Sequence, residues 1–153
     1  MPLNFARHGL PAPRLVVGCV TEIDALLPPG ERFGAIVTDP PYGKRERVTG
    51  GGRWLPGLLR AAATRLRPGG RAVFWVPAPR EHDRARVARA LPALPACLRL
   101  EACCRQQLNA PWSRWLIVLE RRPGPADVAQ LDALLDARTT SADTTGPAPL
   151  LPA

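Results

Sequence analysis

The sequence predicts an α/β fold, in which a mostly parallel sheet is covered by helices on both faces and ends in an antiparallel hairpin. Short, wholly apolar runs typical of buried strands alternate with stretches that have helical spacing. The last two strand-like runs follow each other directly, as in a hairpin. With 153 residues, the chain is long enough for one domain and too short for two.

Two apolar runs open the series of predicted strands. The first, Arg14 to Val20, follows a proline-rich start and is predicted as a buried strand. The second, Phe33 to Thr38, is ended by Asp39-Pro40-Pro41. Proline has no N–H to donate to a sheet and disfavours helix at the residue before it, so the strand must stop there.

A helix and a third strand come next. Apolar residues between Leu55 and Leu66 recur at helical spacing, and Pro68-Gly69-Gly70 ends that helix. Arg71 to Val76 is the third strand, with Trp54 and Trp75 expected in the core. A weaker helix is predicted from Glu81 to Leu91.

The rest of the chain is predicted as a strand pair, a helix and a tail. Leu98 to Gln107 and Arg114 to Arg121 form the hairpin, and Pro125 to Ala137 has helical spacing. We therefore divide the chain into a body over 1–122, a terminal helix over 123–138 and a disordered tail over 139–153.

The charge of the chain predicts a polyanionic partner. The formal net charge is +8, and Lys44 is the only lysine among 21 basic residues. Residues 1–122 hold 20 basic side chains against 9 acidic ones, which favours nucleic acid as the partner. Coding bias in a GC-rich genome would also replace lysine by arginine, but it explains the excess over acidic residues less well.

Cysteine usage and hydropathy indicate a cytoplasmic protein without a bound metal. No run approaches the roughly 20 apolar residues of a membrane-spanning helix, and Arg7 and His8 interrupt any N-terminal signal core. The four cysteines form no C-x-x-C pair and have no zinc-ligand spacing, so they are expected as reduced thiols.

Asp39-Pro40-Pro41-Tyr42 is the motif that carries chemistry. It follows the carboxyl end of a predicted strand, where open α/β sheets bind ligands. An ionised Asp39 and the proline carbonyls are acceptors, while Tyr42 offers a ring for stacking. An exocyclic amine of a nucleobase needs this set, because its two N–H groups require acceptors and the base requires a stacking face. Two such hydrogen bonds would direct the nitrogen lone pair at an electrophile and stabilise the growing positive charge. The alternative is a structural Pro-Pro turn capped by Asp39.

The tetrapeptide resembles motif IV of the S-adenosylmethionine-dependent amino-methyltransferases, which act on adenine, cytosine, guanine or glutamine side chains. Its surroundings, FGAIVTDPPYGKRE from Phe33 to Glu46, resemble the catalytic subunit of the eukaryotic tRNA guanosine-10 N2-methyltransferases. That family has the pattern Asp-Pro-Pro-Tyr-Gly-x-Arg-Glu, which Gly43, Arg45 and Glu46 match. Segments at 4–10, 66–77 and 104–120 resemble the same family, so the likeness spans residues 4–121.

The resemblance implies a partial Rossmann-like class I methyltransferase fold whose first two strands, with the glycine-rich cofactor loop, are missing. It implies S-adenosylmethionine as cofactor, tRNA as substrate and a small zinc-containing activator protein as partner. The residues that it implies for the site are catalytic Asp39, Pro40, Pro41 and Tyr42, cofactor-binding Cys19, Val20 and Asp39, and substrate-binding Gly43, Arg45, Arg47 and Arg114.

In that family the missing strands lie between the strand at 14–20 and the strand at 33–38. Without them the first strand has no neighbour, and unpaired backbone groups are costly to bury. We therefore predict one sheet from the strands that begin at Phe33, Arg71, Leu98 and Arg114, with residues 1–25 poorly anchored.

Three functions remain open from the sequence. The first is a tRNA (guanine-N2) methyltransferase whose chain is incomplete. The second is a non-catalytic remnant that binds RNA or the activator protein. The third is another amino-methyltransferase with the same tetrapeptide, acting on DNA adenine or on protein glutamine.

Overall fold

The computed structural model describes residues 2–40, 54–108 and 111–126, together with residue 129. In chain order the elements are α1 (Pro2–Arg7), a 3-10 turn (Val20–Glu22), α2 (Ile23–Leu26), β1 (Phe33–Thr38), α3 (Trp54–Arg65), β2 (Leu66–Pro79), α4 (Arg84–Ala90), β3 (Leu98–Gln107) and β4 (Trp112–Arg121).

The four strands form one sheet in the order β1-β2-β4-β3. The predicted hairpin of β3 and β4 is confirmed, and so is the single sheet made of these four strands. The strand directions agree with the predicted mostly parallel sheet that ends in an antiparallel hairpin. β1 and β2 pair in parallel and β4 is antiparallel to both of its neighbours, so β1, β2 and β3 run in one direction and β4 runs in the other.

The predicted strand from Arg14 to Val20 is wrong. Residues 11–17 have no regular secondary structure, and the side chains of Leu15, Val16 and Val17 are exposed, the last by 95%. The physical reason is that an apolar sequence becomes a strand only when a neighbouring edge pairs its backbone groups. Because this segment does not join the sheet, β1 gains no second parallel neighbour from it.

The prediction that residues 1–25 are poorly anchored is wrong for their last part. Asp24, at the second position of α2, accepts hydrogen bonds from Arg60 Nε at 3.0 Å and from Arg65 Nε at 2.8 Å. Arg65, which is buried, also donates to the carbonyls of Asp24 and Pro28. Burial raises the pKa of Asp24, but the hydrogen bonds from the two arginines outweigh it and hold that pKa below its ordinary value.

Helix α3 packs its apolar side on the sheet, as its spacing predicts. Its buried leucines and alanines meet side chains of β2 and β4 and Val87 of α4 in one core. On the sheet, the core face consists of Phe74, Val76, Ala78, Trp115, Ile117 and Leu119. Since α3 and α4 contribute to the same core, these two helices do not cover both faces as predicted.

The opposite face of the sheet, here called the outer face, carries the alternate residues Val37, Val73, Trp75, Arg114, Leu116 and Val118. Most of them are half-buried, but Val37 on β1 is 74% exposed. At one end of this face Arg71 pairs with Glu101 and Arg99 pairs with Glu120. The opposite end holds Arg114 beside the residue that follows β1, and this end is the candidate site.

No helix in the described part of the chain is long and apolar enough to cross a membrane. The predicted terminal helix and tail lie outside the described residues, apart from residues 123–126 and 129. The division of the chain at 122 and 138 therefore stays a prediction.

Candidate functional site

Asp39 and Pro40 stand at the edge of the sheet where β1 and β2 reach their carboxyl ends. Thr38, the last residue of β1, lies opposite Phe74 in the parallel register. Pro40 is buried, whereas the Asp39 side chain is 53% exposed. The segment that follows β1 therefore exposes a carboxylate and keeps Pro40 packed.

Arg114 on β4 reaches Asp39 across the strand between them. Its Nη1 lies 3.3 Å from Asp39 Oδ2. Its Nε donates a hydrogen bond to Gln106 Oε1 at 2.6 Å, and its Cζ lies 4.1 Å from the centroid of a Trp75 ring. One guanidinium is thus held by a carboxylate, an amide and an aromatic ring.

The register of the sheet explains why these side chains meet. Arg114 is directly opposite Gln106 on β3 and opposite Pro77 on β2. Pro77 and Trp75 project from the same side of β2, because side chains alternate along a strand. Arg114 and Trp75 are consequently diagonal neighbours on the outer face, within reach of a long side chain.

This cluster can orient a carboxylate at an accessible position. The opposite charges of Arg114 and Asp39 strengthen their contact relative to a neutral pair, although at 3.3 Å it is longer than most hydrogen bonds between ionised groups. An arginine over an aromatic face is attracted by the ring quadrupole as well. The guanidinium therefore has few alternative positions, and it constrains the Asp39 carboxylate that it contacts.

The structure brings two of the predicted site residues together, Asp39 and Arg114. The substrate-binding role of Arg114 stays a prediction; in the structure its guanidinium contacts Asp39, Gln106 and Trp75. Trp75 is predicted to be a core residue, and that prediction is wrong: it lies half-buried on the outer face, under Arg114. Trp54 does pack against the core, edge-on to Phe74.

Trp75 and Gln106 are site residues that the sequence analysis missed. Alternation along β2 would have placed Trp75 on the face opposite the buried Phe74. The register of the hairpin would have placed Gln106 opposite Arg114, but a bulge between Leu100 and Ala102 shifts that register. Counting residues outward from the hairpin turn pairs Gln106 with Arg114 correctly. Counting from Leu98 gives the wrong partner, because the bulge lies between Leu98 and Gln106.

The predicted cofactor residues Cys19 and Val20 lie where the N-terminal segment meets α3. The Cys19 thiol is exposed and accepts a hydrogen bond from Thr21 Oγ1 at 3.0 Å. Val20 packs against the core beside Gly57 of α3. The predicted residues Pro41, Tyr42, Gly43, Arg45 and Arg47 lie outside the described residues.

Buried polar atoms without a hydrogen-bond partner lie on or near the core side of this end of the sheet. The atoms without a hydrogen-bond partner are both ring nitrogens of the fully buried His82, Ser113 Oγ and Trp115 Nε1. Burial also raises the pKa of the Cys103 thiol, so this cysteine is held as an unreactive thiol. No group of three metal-ligating side chains occurs among the residues that the structure describes.

The chain is similar to known tRNA methyltransferases over part of its length. It is 33% identical over 121 residues to the human tRNA (guanine(10)-N(2))-methyltransferase TRMT11, an alignment covering 60% of this chain and 25% of that protein. The TRMT11 protein of Dictyostelium discoideum is 31% identical over 151 residues, which cover 77% of this chain and 28% of the relative. The chain spans about a quarter of the length of the curated relatives that it matches. No protein-family model matches it.

Two solved structures are similar in fold at 18% sequence identity. One is described as "Conversion of a Disulfide Bond into a Thioacetal Group during Echinomycin Biosynthesis"; it has a TM-score of 0.50 and covers 87% of this chain and 65% of the other. The other is a methyltransferase from Pyrococcus furiosus, with a TM-score of 0.48 over 79% of this chain and 55% of that one. The sequence comparisons establish partial homology to the tRNA (guanine(10)-N(2))-methyltransferases, and the first of these structures shares the mixed α/β fold.

Proposed function

We propose, from this partial homology, that the chain is the amine-binding part of a tRNA (guanine-N2) methyltransferase with a partial Rossmann-like class I fold. The observation that carries the proposal is Asp39-Pro40, which follows the β1 strand at the carboxyl edge with Asp39 exposed and paired to Arg114. A carboxylate at that edge suits the recognition of a base extruded from its helix.

The proposed chemistry uses acceptors on both sides of the amine. The guanine N2 group donates one N–H to the Asp39 carboxylate and the other to the Pro40 carbonyl, while Pro41 fixes the turn and Tyr42 stacks on the base. These bonds turn the nitrogen lone pair out of the ring plane. Asp39 then stabilises the positive charge that develops on the nitrogen until its proton is lost to solvent.

S-adenosylmethionine, when bound in the assembled enzyme, supplies the electrophilic methyl group. The described residues fit only part of a site for it. Cys19 stands where an acceptor for the cofactor ribose would be expected. It has a thiol in place of a carboxylate, and that thiol accepts a hydrogen bond from Thr21 Oγ1. Residues 14–20 also do not form the strand that would aim such an acceptor at the cofactor. Asp39 is the described residue best suited to face it.

The basic character of the body supports tRNA as the substrate class. Residues 1–122 hold 20 basic against 9 acidic side chains, so phosphate contacts would supply much of the affinity. We assign Gly43, Arg45 and Arg47 to the RNA beside the extruded base. A zinc-containing activator protein, which comes from the family resemblance alone, and a cytoplasmic location, which comes from the cysteine usage and hydropathy, complete the proposal.

A non-catalytic role in binding RNA or the activator is the second candidate. The incomplete fit of the described residues to the cofactor favours it. An amino-methyltransferase acting on DNA adenine or protein glutamine shares the amine chemistry, and the identity of the methylated product separates it from the first candidate.

The experiment is to incubate the purified chain with labelled S-adenosylmethionine and unmodified tRNA, and to identify the labelled nucleoside. Asp39→Ala is the test variant. Glu101→Ala is its matched control, because it removes another arginine-paired carboxylate at the opposite end of the outer face. Label in N2-methylguanosine that is lost with Asp39→Ala alone supports the proposal. tRNA binding without transfer supports the second candidate. Parallel reactions with DNA or with a glutamine-containing protein in place of tRNA test the third candidate, which label in adenine or in glutamine would support.

A further inference from the structure

We propose that Arg114 is a positioning residue for Asp39. Held between the Trp75 ring and the Gln106 amide, its guanidinium fixes the direction in which the Asp39 carboxylate meets the substrate amine. The proposal rests on the proposed function and deepens it, because it assigns a role to three residues beyond the tetrapeptide.

The guanidinium of Arg114 is held by contacts on several sides. Arg114 is half-buried, with 27% of its side chain exposed, and it contacts groups on three other parts of the sheet. Its Nε donates a hydrogen bond to Gln106 Oε1 at 2.6 Å, and its Cζ lies 4.1 Å from the centroid of the Trp75 ring. An arginine with a planar fork so constrained presents its remaining N–H groups in set directions.

Asp39 needs such a support. Asp39 follows β1, a strand whose described neighbour in the sheet is β2, and its side chain is 53% exposed. A half-exposed carboxylate has several rotamers open to it. The contact with Arg114 Nη1 at 3.3 Å is among the interactions that limit them.

The ion pairs at the other end of the outer face provide a comparison. Arg99 and Glu120 are directly opposite each other on paired strands, which is the ordinary cross-strand arrangement. Asp39 and Arg114 belong to strands that are separated by β2, and the arginine lies over Trp75 to bridge them. Partly exposed ion pairs add little to the stability of a fold. The contact of Arg114 with Asp39 across β2 is therefore better explained by its effect on the orientation of the Asp39 carboxylate.

The inference also separates two roles for Arg114. If it bound RNA phosphate, its charge would act on tRNA affinity and on the salt dependence of binding. Because its guanidinium already serves Asp39, its loss acts on the chemical step instead. The two roles predict different kinetic parameters.

The test is a double-mutant cycle with Arg114→Gln, Asp39→Asn and the double variant, with Arg99→Gln as a matched control. Small misplacement of a reacting group costs up to about 100-fold in rate; we expect Arg114→Gln to lower kcat roughly tenfold, with KM for tRNA unchanged. In the Asp39→Asn background the same change should have no further effect, since coupled residues are not additive. Arg114→Lys should recover little, because lysine keeps the charge but lacks the planar fork.

A second measurement is independent of activity. In NMR spectra the carboxyl-carbon resonance of Asp39 should shift in Arg114→Gln and stay in place in Arg99→Gln. Additive effects in the cycle, a raised KM for tRNA with kcat unchanged, or an unmoved Asp39 resonance would each overturn the inference. The proposed function itself fails if the chain binds tRNA that lacks the exocyclic amine as tightly as tRNA that carries it. Where the chain alone transfers no methyl group, the resonance decides whether Arg114 positions Asp39.

Discussion

Arg114 Nη1 lies 3.3 Å from Asp39 Oδ2, although the strands to which these residues belong are not neighbours in the sheet. The contact passes over the Trp75 ring, which lies between them on the outer face. It thus connects the residue that follows the parallel strand β1 to the hairpin at the far side of β2. Residues on or next to all four described strands thus meet at the Arg114 guanidinium, and the amine chemistry proposed above depends on the Asp39 carboxylate that it contacts.

Replacing Trp75 tests whether the ring supports the arginine. We expect Trp75→Leu to free the Arg114 guanidinium, because a leucine keeps an apolar contact but offers no quadrupole to the cation. The loss in free energy of unfolding should be modest, about 1 kcal/mol, of the order of a partly exposed cation–π pair. Side-chain ¹⁵Nε relaxation of Arg114 reports its mobility, and urea unfolding reports the stability. An arginine as rigid in Trp75→Leu as in the unmodified chain would contradict the role given to the ring.

Asp24 provides a prediction about pH. Its folded pKa lies below its ordinary value, so its contribution to stability is complete above its unfolded pKa, about 4, and is lost as the pH falls through the folded pKa. Asp24→Asn should therefore lower the free energy of unfolding at pH 7 by roughly 2 kcal/mol, since two arginines lose a charged acceptor.

The difference between Asp24→Asn and the unmodified chain should shrink toward pH 3. Urea unfolding at several pH values measures it. A difference that is constant between pH 7 and pH 3 would show that the carboxylate charge does not anchor α2 to α3.

Gly57 tests how closely the N-terminal segment approaches α3. A Cβ at this position would lie 3.1 Å from side-chain carbons of Val20 and Thr21 and 3.2 Å from the Thr21 backbone nitrogen. Gly57→Ala should therefore destabilise the fold by about 1 kcal/mol, because overpacking outweighs the gain in helix propensity.

Gly34→Ala is the matched control for that change. A Cβ at Gly34 on β1 meets nothing within 4 Å, so this substitution should be neutral or slightly stabilising. Equal effects of the two alanines on the thermal midpoint would mean that the contact between Gly57 and the 3-10 turn is not a tight one.

Val37 tests the exposure of β1. It is 74% exposed on an apolar strand at the end of the strand order, the kind of strand that associates with other chains unless a charge protects it. Val37→Lys should reduce self-association in sedimentation velocity and change stability by less than about 0.5 kcal/mol. Val17→Lys, at a 95% exposed position outside the sheet, is the control and should leave association unchanged. An equal reduction in both variants would attribute association to apolar exposure in general.

The sequence predicts those elements whose pattern is local. Helix α3 follows from its apolar spacing, and β1 ends at Thr38, just before Asp39-Pro40, where the proline has no N–H to offer the sheet. The run from Arg14 to Val20 has the same apolar character as β1 and still forms no strand, since pairing depends on a neighbour and not on composition. The one reversed strand among those described, β4, follows instead from the hairpin with β3, which the sequence does predict.

The candidate site also has one residue that the sequence predicts and partners that it does not. Asp39 can be predicted, because a carboxylate before two prolines at a strand end is visible in the sequence. Its partners cannot be predicted as easily, since Arg114 is 75 positions away and Trp75 resembles a core residue by its neighbours. Their meeting depends on the strand order and on the hairpin register, which a bulge shifts.

The most direct measurement compares methyl transfer to two tRNA substrates, one with guanine at the modified position and one with inosine, which lacks the exocyclic amine. Competition binding of the two tRNAs, with the unmodified chain and with Asp39→Ala, gives the preference for the amine. The account predicts that the unmodified chain transfers methyl only to the guanine substrate. It should also bind this substrate about tenfold more tightly than the inosine substrate, as for the loss of one hydrogen bond to a charged group. Asp39→Ala should abolish both the transfer and the binding preference. An unchanged preference for guanine in Asp39→Ala would contradict the claim that Asp39 accepts the substrate amine.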